Sequence, residues 1–85
     1  MFYTYILKSK SSGRFYIGQT DNLEMRIKRH NENTVKSTKN RGPWDLVHCE
    51  SHFTRSEALI RERYLKSLKS KIAIEQLITD KISEL

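Results

Sequence analysis

Two short runs of aromatic and β-branched residues open the chain and constrain its fold more than any other feature. The first run covers Phe2 to Lys8, and the second covers Arg14 to Thr20. A polar turn that contains a glycine, Ser9 to Gly13, lies between them. Strand-forming runs joined by a short glycine-containing turn are typical of a β-hairpin. We therefore expect this part of the chain to form two antiparallel strands.

A first helix is predicted after the hairpin. Asp21 or Asn22 can cap it, because either side-chain oxygen can accept a free backbone amide at a helix start. Leu23, Ile27 and His30 follow at spacings of four and three residues. That spacing places the three side chains on one face of the helix.

The next part of the chain predicts a loop, a third strand and a second helix. The polar, basic segment from Asn31 to Gly42 lacks an apolar period, which indicates a loop with room for a short helical turn. Trp44 to Phe53 partly alternates between apolar and polar residues and favours a strand. Thr54 and Glu57 have the spacing of a capping box at the start of a helix that runs through Leu68.

A last helix completes the predicted order β-β-α-β-α-α. Ser70 can cap this helix, and its apolar stripe comprises Ile74, Leu77, Ile78, Ile82 and Leu85. No repeat or linker interrupts the chain. We therefore expect residues 1–85 to form a single α+β domain, in which a small three-stranded antiparallel sheet is flanked by helices.

The charge balance indicates a polyanionic partner. Sixteen Lys and Arg residues against ten Asp and Glu residues leave a net charge of +6. A small domain this basic is expected to bind nucleic acid, although ordinary surface charge is the alternative. Cys49 is the single cysteine, which excludes an internal disulfide and suits a reducing compartment. With neither a leader pattern nor an apolar run of about 20 residues, we expect a cytoplasmic protein without a membrane partner.

Several polar residues and a glycine fall where the hydrophobic pattern does not require them. Tyr5 and Tyr16 lie on neighbouring hairpin strands and can place both phenols on one face of the sheet. Gly18 would weaken its strand unless something must approach the backbone closely. Arg26 and His30 are four residues apart on the first helix, so they share a face.

Glu62 occupies a comparable place on the helix after the third strand. It lies between Ala58 and Leu65 at helical spacing, at the edge of an apolar stripe. Glu57 also lies near this stripe, so periodicity does not choose between the two glutamates, although Glu57 has a structural task in the capping box. A simple ion pair of Glu62 with Lys66, four residues later, is the alternative.

Taken in order, these residues resemble the GIY-YIG nuclease superfamily. The resemblance is carried by Tyr3-Thr4-Tyr5, Tyr16-Ile17-Gly18, Arg26, His30 and a helical glutamate. The nearest group is that of short, single-domain bacterial members similar to YhbQ, related to the amino-terminal endonuclease domain of UvrC. Its Lys-x-Thr-(Lys/Arg)-x-Arg-Gly segment and its Ser-Glu-Ala-Leu helix correspond here to residues 36–42 and 56–59. The resemblance implies the GIY-YIG fold.

The resemblance also implies an endonuclease that hydrolyses phosphodiester bonds with a divalent metal. Glu62 would be the sole protein ligand of Mg²⁺ or Mn²⁺, since Mg²⁺ is often held by one or two carboxylates plus substrate phosphate. Tyr5 or Tyr16 would be the general base while the other orients the attacking water. Because a free tyrosine has a pKa of about 10, His30 would relay the proton. Arg26 would bind the scissile phosphate.

A second set of residues is expected to contact nucleic acid around this centre. It comprises Gly18, where the backbone can be approached closely, and the cations Lys28, Lys36, Lys39 and Arg41. Phosphate contacts position a substrate without reading its sequence. We therefore expect low sequence specificity, with DNA favoured over RNA, and the resemblance implies a link to DNA repair or recombination. A protein partner or a homodimer would add affinity, but nothing in the sequence marks either.

Other interpretations stay open at the level of sequence. The chain could be a non-catalytic nucleic-acid-binding module with the same fold, or a protein-interaction domain whose charge is incidental. His48, Cys49 and His52 suggest a zinc site. However, strand alternation turns Cys49 away from the two histidines, and structural zinc usually has four ligands.

Overall fold

A three-stranded sheet and three helices make up the part of the chain that the structure describes. The structure is a computed structural model that describes residues 1–83, with side chains as far as Thr79. The elements are β1 (Phe2–Ser9), β2 (Phe15–Thr20), α1 (Leu23–Asn31), β3 (Trp44–His52), α2 (Arg55–Ser67) and α3 (Lys71–Ser83). The predicted order and the predicted antiparallel sheet are both confirmed.

The strand ends differ from the prediction by one residue, for local reasons. β1 continues through Ser9, whose amide donates to the carbonyl of Arg14 at 2.8 Å and closes the hairpin. β2 accordingly starts one residue later than predicted. β3 ends at His52 rather than at Phe53, because Thr54 already caps the next helix.

β1 is the central strand, in the order β2-β1-β3. Tyr5 lies opposite Gly18 on β2, and Leu7 lies opposite Tyr16. Since successive side chains alternate between the two faces of a sheet, Tyr5 and Tyr16 project from the same face, as predicted. On the other side of β1, the register with β3 shifts between Ile6 and Leu7, which marks a β-bulge.

The face of the sheet that carries both tyrosines is covered by α1, and we call it the α1 face. Tyr5, Leu7 and Trp44 form its buried cluster. Leu23 and Ile27 pack against this cluster from the helix, so the predicted apolar side of α1 is the side that covers the sheet. The helix starts at Asn22, one of the two predicted caps, whose side-chain oxygen accepts the amide of the third helical residue at 3.1 Å.

The opposite face is covered by α2 and α3, and we call it the α2 face. The buried members of its cluster are Ile6, Leu65 and Ile74. Leu77 and Ile78 from the predicted stripe of α3 pack against it, whereas the side chains of Ile82 and Leu85 lie outside the described residues. The hydroxyl of Ser70 accepts an amide from the first turn of α3 at 3.2 Å.

The segment between α1 and β3 is a loop, as predicted, and hydrogen bonds attach it to the rest of the domain at several points. The Asn31 side chain accepts from the Trp44 amide at 2.7 Å and donates to the Trp44 carbonyl at 3.2 Å. Near the end of the loop, the carbonyl of Arg41 accepts from the Ser9 hydroxyl at 2.7 Å. Thr38, in the middle, is buried. These contacts hold the loop against the α1 face.

None of the helices in the described part of the chain combines the length and apolar character that crossing a membrane requires.

Candidate active site

Tyr5 and Tyr16 form a close pair on the α1 face. Their ring centroids are 6.3 Å apart, with Tyr5 completely buried and Tyr16 half-buried. A Cβ atom placed on Gly18 would lie 2.6 Å from the Tyr5 hydroxyl oxygen and 3.1 Å from a ring carbon of Tyr16. The phenols themselves therefore account for the glycine in this strand. Gly18 is buried, and its contact with nucleic acid stays a prediction.

A directed chain of hydrogen bonds runs from the buried phenol into the loop. The Thr38 hydroxyl donates to the Val35 carbonyl at 3.5 Å, so it accepts from Nδ1–H of His30 at 2.7 Å. His30 Nε2 then carries the free lone pair. The Tyr5 hydroxyl lies 3.0 Å from Nε2 and donates its proton to it. His30 is completely buried, so these two bonds fix both its ring and its tautomer.

Burial sets the protonation states of this pair. Burial, with a smaller contribution from the charge of Arg26, lowers the pKa of His30 from 6.5 to about 4. The imidazole is therefore neutral at pH 7 and able to accept a proton. Burial also raises the pKa of Tyr5, although the hydrogen bond from Arg26 opposes this rise. Tyr5 is therefore protonated at neutral pH, in agreement with the direction of its bond to His30.

Arg26 reaches the same phenols from α1, one helical turn before His30. Its Nε–H donates to the Tyr5 hydroxyl at 3.4 Å. That hydrogen bond is the main cause that raises the pKa of Arg26, and Tyr16 contributes in the same direction. The guanidinium is half-buried and has five N–H donors, so it can hold the phenols and still present donors towards solvent.

Glu62 lies beside this group rather than within it. Its carboxylate accepts from Lys66 at 3.1 Å, and its side chain is 18% exposed. Within the described residues it makes no hydrogen bond to either phenol, but its charge is close enough to contribute to the raised pKa of Tyr5. Glu57, the other candidate from the sequence, is exposed and closes the capping box with Thr54.

Four of the predicted nucleic-acid contacts are cations on exposed positions. Lys36, Lys39 and Arg41 belong to the loop that contributes Thr38. Lys28 is exposed near the end of α1, and its Nζ lies 3.7 Å from a carboxylate oxygen four residues later. All four side chains are therefore accessible to a ligand, and their contact with nucleic acid stays a prediction.

Sequence reasoning missed two residues that shape the site. Thr38 fixes the tautomer of His30, and Trp44 donates from its indole N–H to the Thr38 carbonyl at 3.4 Å. The Trp44 ring also lies 6.4 Å from the ring of Tyr16, measured between centroids. The signal that could have identified Thr38 is its place in the middle of the Lys-x-Thr-Lys-x-Arg-Gly segment.

A separate polar network lies on the α2 face, where sequence reasoning considered a zinc site. His48 donates to Glu50 at 2.7 Å, and Glu50 accepts two hydrogen bonds from Arg61 at 2.8 and 3.1 Å. Burial alone would raise the pKa of Glu50, but hydrogen bonds and charge from Arg61 and His48 outweigh it and lower that pKa. Cys49 packs on the α1 face. No three His, Cys, Asp or Glu side chains in the described residues group as metal ligands.

The tyrosine pair, Arg26, His30 and Glu62 belong to a domain that recurs in known proteins. The chain is 41% identical over 85 residues to the UPF0213 protein CPE1444 of Clostridium perfringens, covering 99% of this chain and 90% of that protein. It is 40% identical over 68 residues to the UPF0213 protein YazA of Bacillus subtilis, covering 79% and 68%.

A solved structure is similar over almost the same span. The solution NMR structure of the UPF0213 protein BH0048 from Bacillus halodurans superposes with a TM-score of 0.60 and 36% sequence identity. The match covers 95% of this chain and 86% of that chain. The family model for the GIY-YIG catalytic domain matches residues 1–76, a span that includes every residue of the candidate site. The chain therefore belongs to the GIY-YIG family of nuclease domains, among relatives that are UPF0213 proteins.

Proposed function

We propose that this protein is a metal-dependent endonuclease that hydrolyses phosphodiester bonds in DNA at the α1 face. One observation carries the proposal. Two phenols, a guanidinium and an imidazole from β1, β2 and α1 meet within hydrogen-bonding or ring-contact distance, and the Glu62 carboxylate lies beside them. These residues are distant along the chain, and ordinary packing does not require so many polar groups to meet.

Burial divides the group into an outer and an inner part. Tyr16, Arg26 and Glu62 are partly exposed, so a phosphate and a water molecule can reach them. Tyr5 and His30 are completely buried. We assign Tyr16 the role of orienting the attacking water, because its phenol is the accessible one. Arg26 binds the scissile phosphate through donors that the phenols leave free.

The inner pair acts on the outer one through Arg26. The Tyr5 oxygen accepts from Arg26 and donates to His30, so the pair fixes where the guanidinium lies. A bound phosphate would offset the Arg26 charge that helps to lower the pKa of His30. Substrate binding would therefore make Nε2 a better acceptor for the Tyr5 proton, as a proton relay requires.

Glu62 fits the chemistry of a Mg²⁺ or Mn²⁺ ligand. Mg²⁺ keeps several waters and is commonly bound through one or two carboxylates together with substrate phosphate. The Lys66 partner is 52% exposed, so a cation from solution can compete with it for the Glu62 carboxylate. When bound, the ion would offset the negative charge that develops on the phosphate. Glu62 would hold that ion, and Arg26 would bind the phosphate.

Substitutions of a glutamate and an arginine in the site, each compared with the same substitution at an exposed position, test this proposal. Cleavage of a labelled branched or supercoiled DNA is measured with Mg²⁺ or Mn²⁺ for Glu62→Gln and Arg26→Lys. The controls are Glu75→Gln and Arg29→Lys, which alter exposed residues of α3 and α1. We expect the site variants to lose about 10²–10³ in rate, as for loss of one preorganised charge-stabilising group, while the controls cleave normally.

Two outcomes would contradict the proposal. Normal cleavage by a folded Glu62→Gln protein would show that the metal is bound elsewhere. Salt-dependent binding of every nucleic acid without any cleavage would instead identify a non-catalytic binding module. DNA and RNA forms of the same substrates decide which nucleic acid is cut. A role in DNA repair or recombination would be supported by a preference for branched over linear duplexes.

A further inference from the structure

A groove runs between the edge strand β2 and the turn that joins α2 to α3. Its volume is about 480 Å³, within the range of about 300–1,000 Å³ that is usual for ligand sites. β2 pairs with β1 on one side only, so the groove follows the open edge of the sheet. The α2–α3 turn forms the opposite wall.

The lining of the groove has an apolar floor and a cationic rim. Phe15, Ile17, Leu65 and Ile74 supply the apolar surface. The cations are Arg14, Lys66, Lys69 and Lys71, and the described lining contains no carboxylate. The Phe15 ring is half-buried and is approached by Lys8, whose Nζ lies 5.7 Å from the ring centroid. This combination suits a ligand that carries both negative charge and flat apolar surface.

The groove is continuous with the proposed active site at two points. Tyr16 lines the groove and also belongs to the tyrosine pair. Lys66 lines the groove and also contacts Glu62. An extended ligand in the groove could therefore reach the position where Arg26 and Glu62 would hold the scissile phosphate.

We infer that this groove binds a single-stranded segment of nucleic acid next to the scissile phosphate, an inference that rests on the proposed function. The cations contact its phosphates, and Phe15 contacts an unpaired base, since a base can stack on an aromatic ring whatever its sequence. A duplex hides its base faces and cannot use the apolar floor. An acidic peptide would satisfy the cations but would not need an aromatic ring or continuity with the nuclease site.

Equilibrium binding in EDTA tests this inference without cleavage. Anisotropy of a labelled single strand, and of a duplex of equal length, is measured at several salt concentrations for Lys69→Gln/Lys71→Gln and for Phe15→Leu. The matched control is Arg55→Gln/Arg63→Gln, which removes the same charge from exposed positions of α2 outside the groove. Circular dichroism verifies that each variant is folded.

We expect both groove variants to bind the single strand about tenfold more weakly, with a smaller change for the duplex. The logarithm of the binding constant falls linearly with the logarithm of the salt concentration, with a slope of about 0.7 for each phosphate contact to a single strand. The double lysine variant, which loses two such contacts, should therefore have a slope smaller by about 1.4. Single-strand binding equal to that of the Arg55/Arg63 control would overturn the inference. So would equally tight binding of polyglutamate that depends on the lysines but not on Phe15.

The two proposals fail in different ways. If the groove variants lose single-strand affinity but the wild-type protein cuts no substrate, the inference about the groove is supported and the nuclease proposal is contradicted. If the wild-type protein cuts in a Glu62-dependent manner while the groove variants bind like the control, the nuclease proposal is supported and the inference about the groove is contradicted.

Discussion

His30 shows how single polar side chains are tolerated in the interior of this protein. Its two ring nitrogens are satisfied by Thr38 and Tyr5, at 2.7 and 3.0 Å, so a completely buried imidazole leaves no nitrogen unpaired. Buried polar groups are costly unless they are hydrogen-bonded. The neutral form is the one that these bonds accommodate, because a charged imidazole would need to donate from both nitrogens.

This arrangement predicts a loss of stability in mild acid. The folded-state pKa of His30 is about 4, below the unfolded value of 6.5, so the unfolded chain takes up the proton first. The contribution of His30 to stability is therefore complete above pH 6.5 and is lost as the pH falls towards 4. At about 1.4 kcal/mol per pH unit, the loss amounts to about 3 kcal/mol.

Urea unfolding at several pH values measures this contribution. We expect the free energy of unfolding of the wild type to fall more steeply between pH 6.5 and pH 4 than that of His30→Gln, which does not titrate. Equal slopes in the two proteins would show that His30 is protonated in the folded state as readily as in the unfolded chain.

At the residue scale, the sequence identified side chains that meet but not what they do to each other. The resemblance to a family pointed to Tyr5, Arg26 and His30, and Tyr5 contacts both of the other two. It could not indicate which phenol is buried, because that depends on how α1 and the loop pack over the strand. It also gave no sign of the ion pair between Glu50 and Arg61, since the two residues lie on different elements.

At the scale of elements, the loop between α1 and β3 contributes to the site as directly as the helix does. Thr38 is buried in the middle of that loop, and its hydroxyl orients His30. Helix starts could be predicted from local patterns, and the Thr54–Glu57 capping box is confirmed. The path of the loop could not be predicted, because it depends on long-range hydrogen bonds such as the two between the Asn31 side chain and the Trp44 backbone.

Thr38→Val is expected to disturb both the loop and the histidine. Valine keeps the shape of threonine but removes the hydroxyl, so His30 Nδ1–H loses its acceptor, at a cost of about 1–3 kcal/mol. The ring can then adopt the other tautomer and donate to Tyr5 instead of accepting from it. We expect cleavage to fall about tenfold, by analogy with losses of groups that orient a reactive ligand.

Nitrogen NMR shifts of the imidazole distinguish a change of tautomer from simple destabilisation. Thr34→Val, at an exposed threonine of the same loop, is the matched control and should leave the shifts unchanged. Retention of the wild-type tautomer and of full activity in Thr38→Val would show that Thr38 does not orient His30.

At the scale of the whole molecule, β1 separates two kinds of packing. The α1 face carries the polar group around Tyr5, whereas the α2 face carries the cluster of Ile6, Leu65 and Ile74. The alternation of side chains along β1 makes this separation possible, because neighbouring residues such as Tyr5 and Ile6 point to opposite faces. The buried apolar side chains of the α2 face therefore supply stability on which the site depends, although α2 also carries Glu62, the proposed metal ligand.

Ile6→Ala should consequently lower stability and leave the site chemistry intact. Removal of a completely buried isoleucine side chain down to alanine typically costs about 2–5 kcal/mol, and Ile6 is 0% exposed and lies outside the groove. Ile60→Ala on α2 is the control, because Ile60 is 65% exposed and surface changes usually stay within about 0.5 kcal/mol. The midpoint of urea unfolding gives the stability of each variant.

Cleavage by Ile6→Ala at low temperature, where the variant is folded, completes that comparison. Activity close to the wild-type rate is expected. A large loss of rate in fully folded Ile6→Ala would mean that the packing of the α2 face is coupled through β1 to the site on the α1 face.

The central position of β1 also has a consequence for synthesis. β1 is translated before both of its neighbours, and the second of them, β3, ends at His52. At about 5–20 residues per second, the ribosome needs about 2–9 s to add the residues in between. For that time the nascent chain presents an aromatic, β-branched strand whose outer amides and carbonyls have no native partner, and such an edge readily pairs with other chains. Protein yield should therefore be especially sensitive to translation pauses before residue 52.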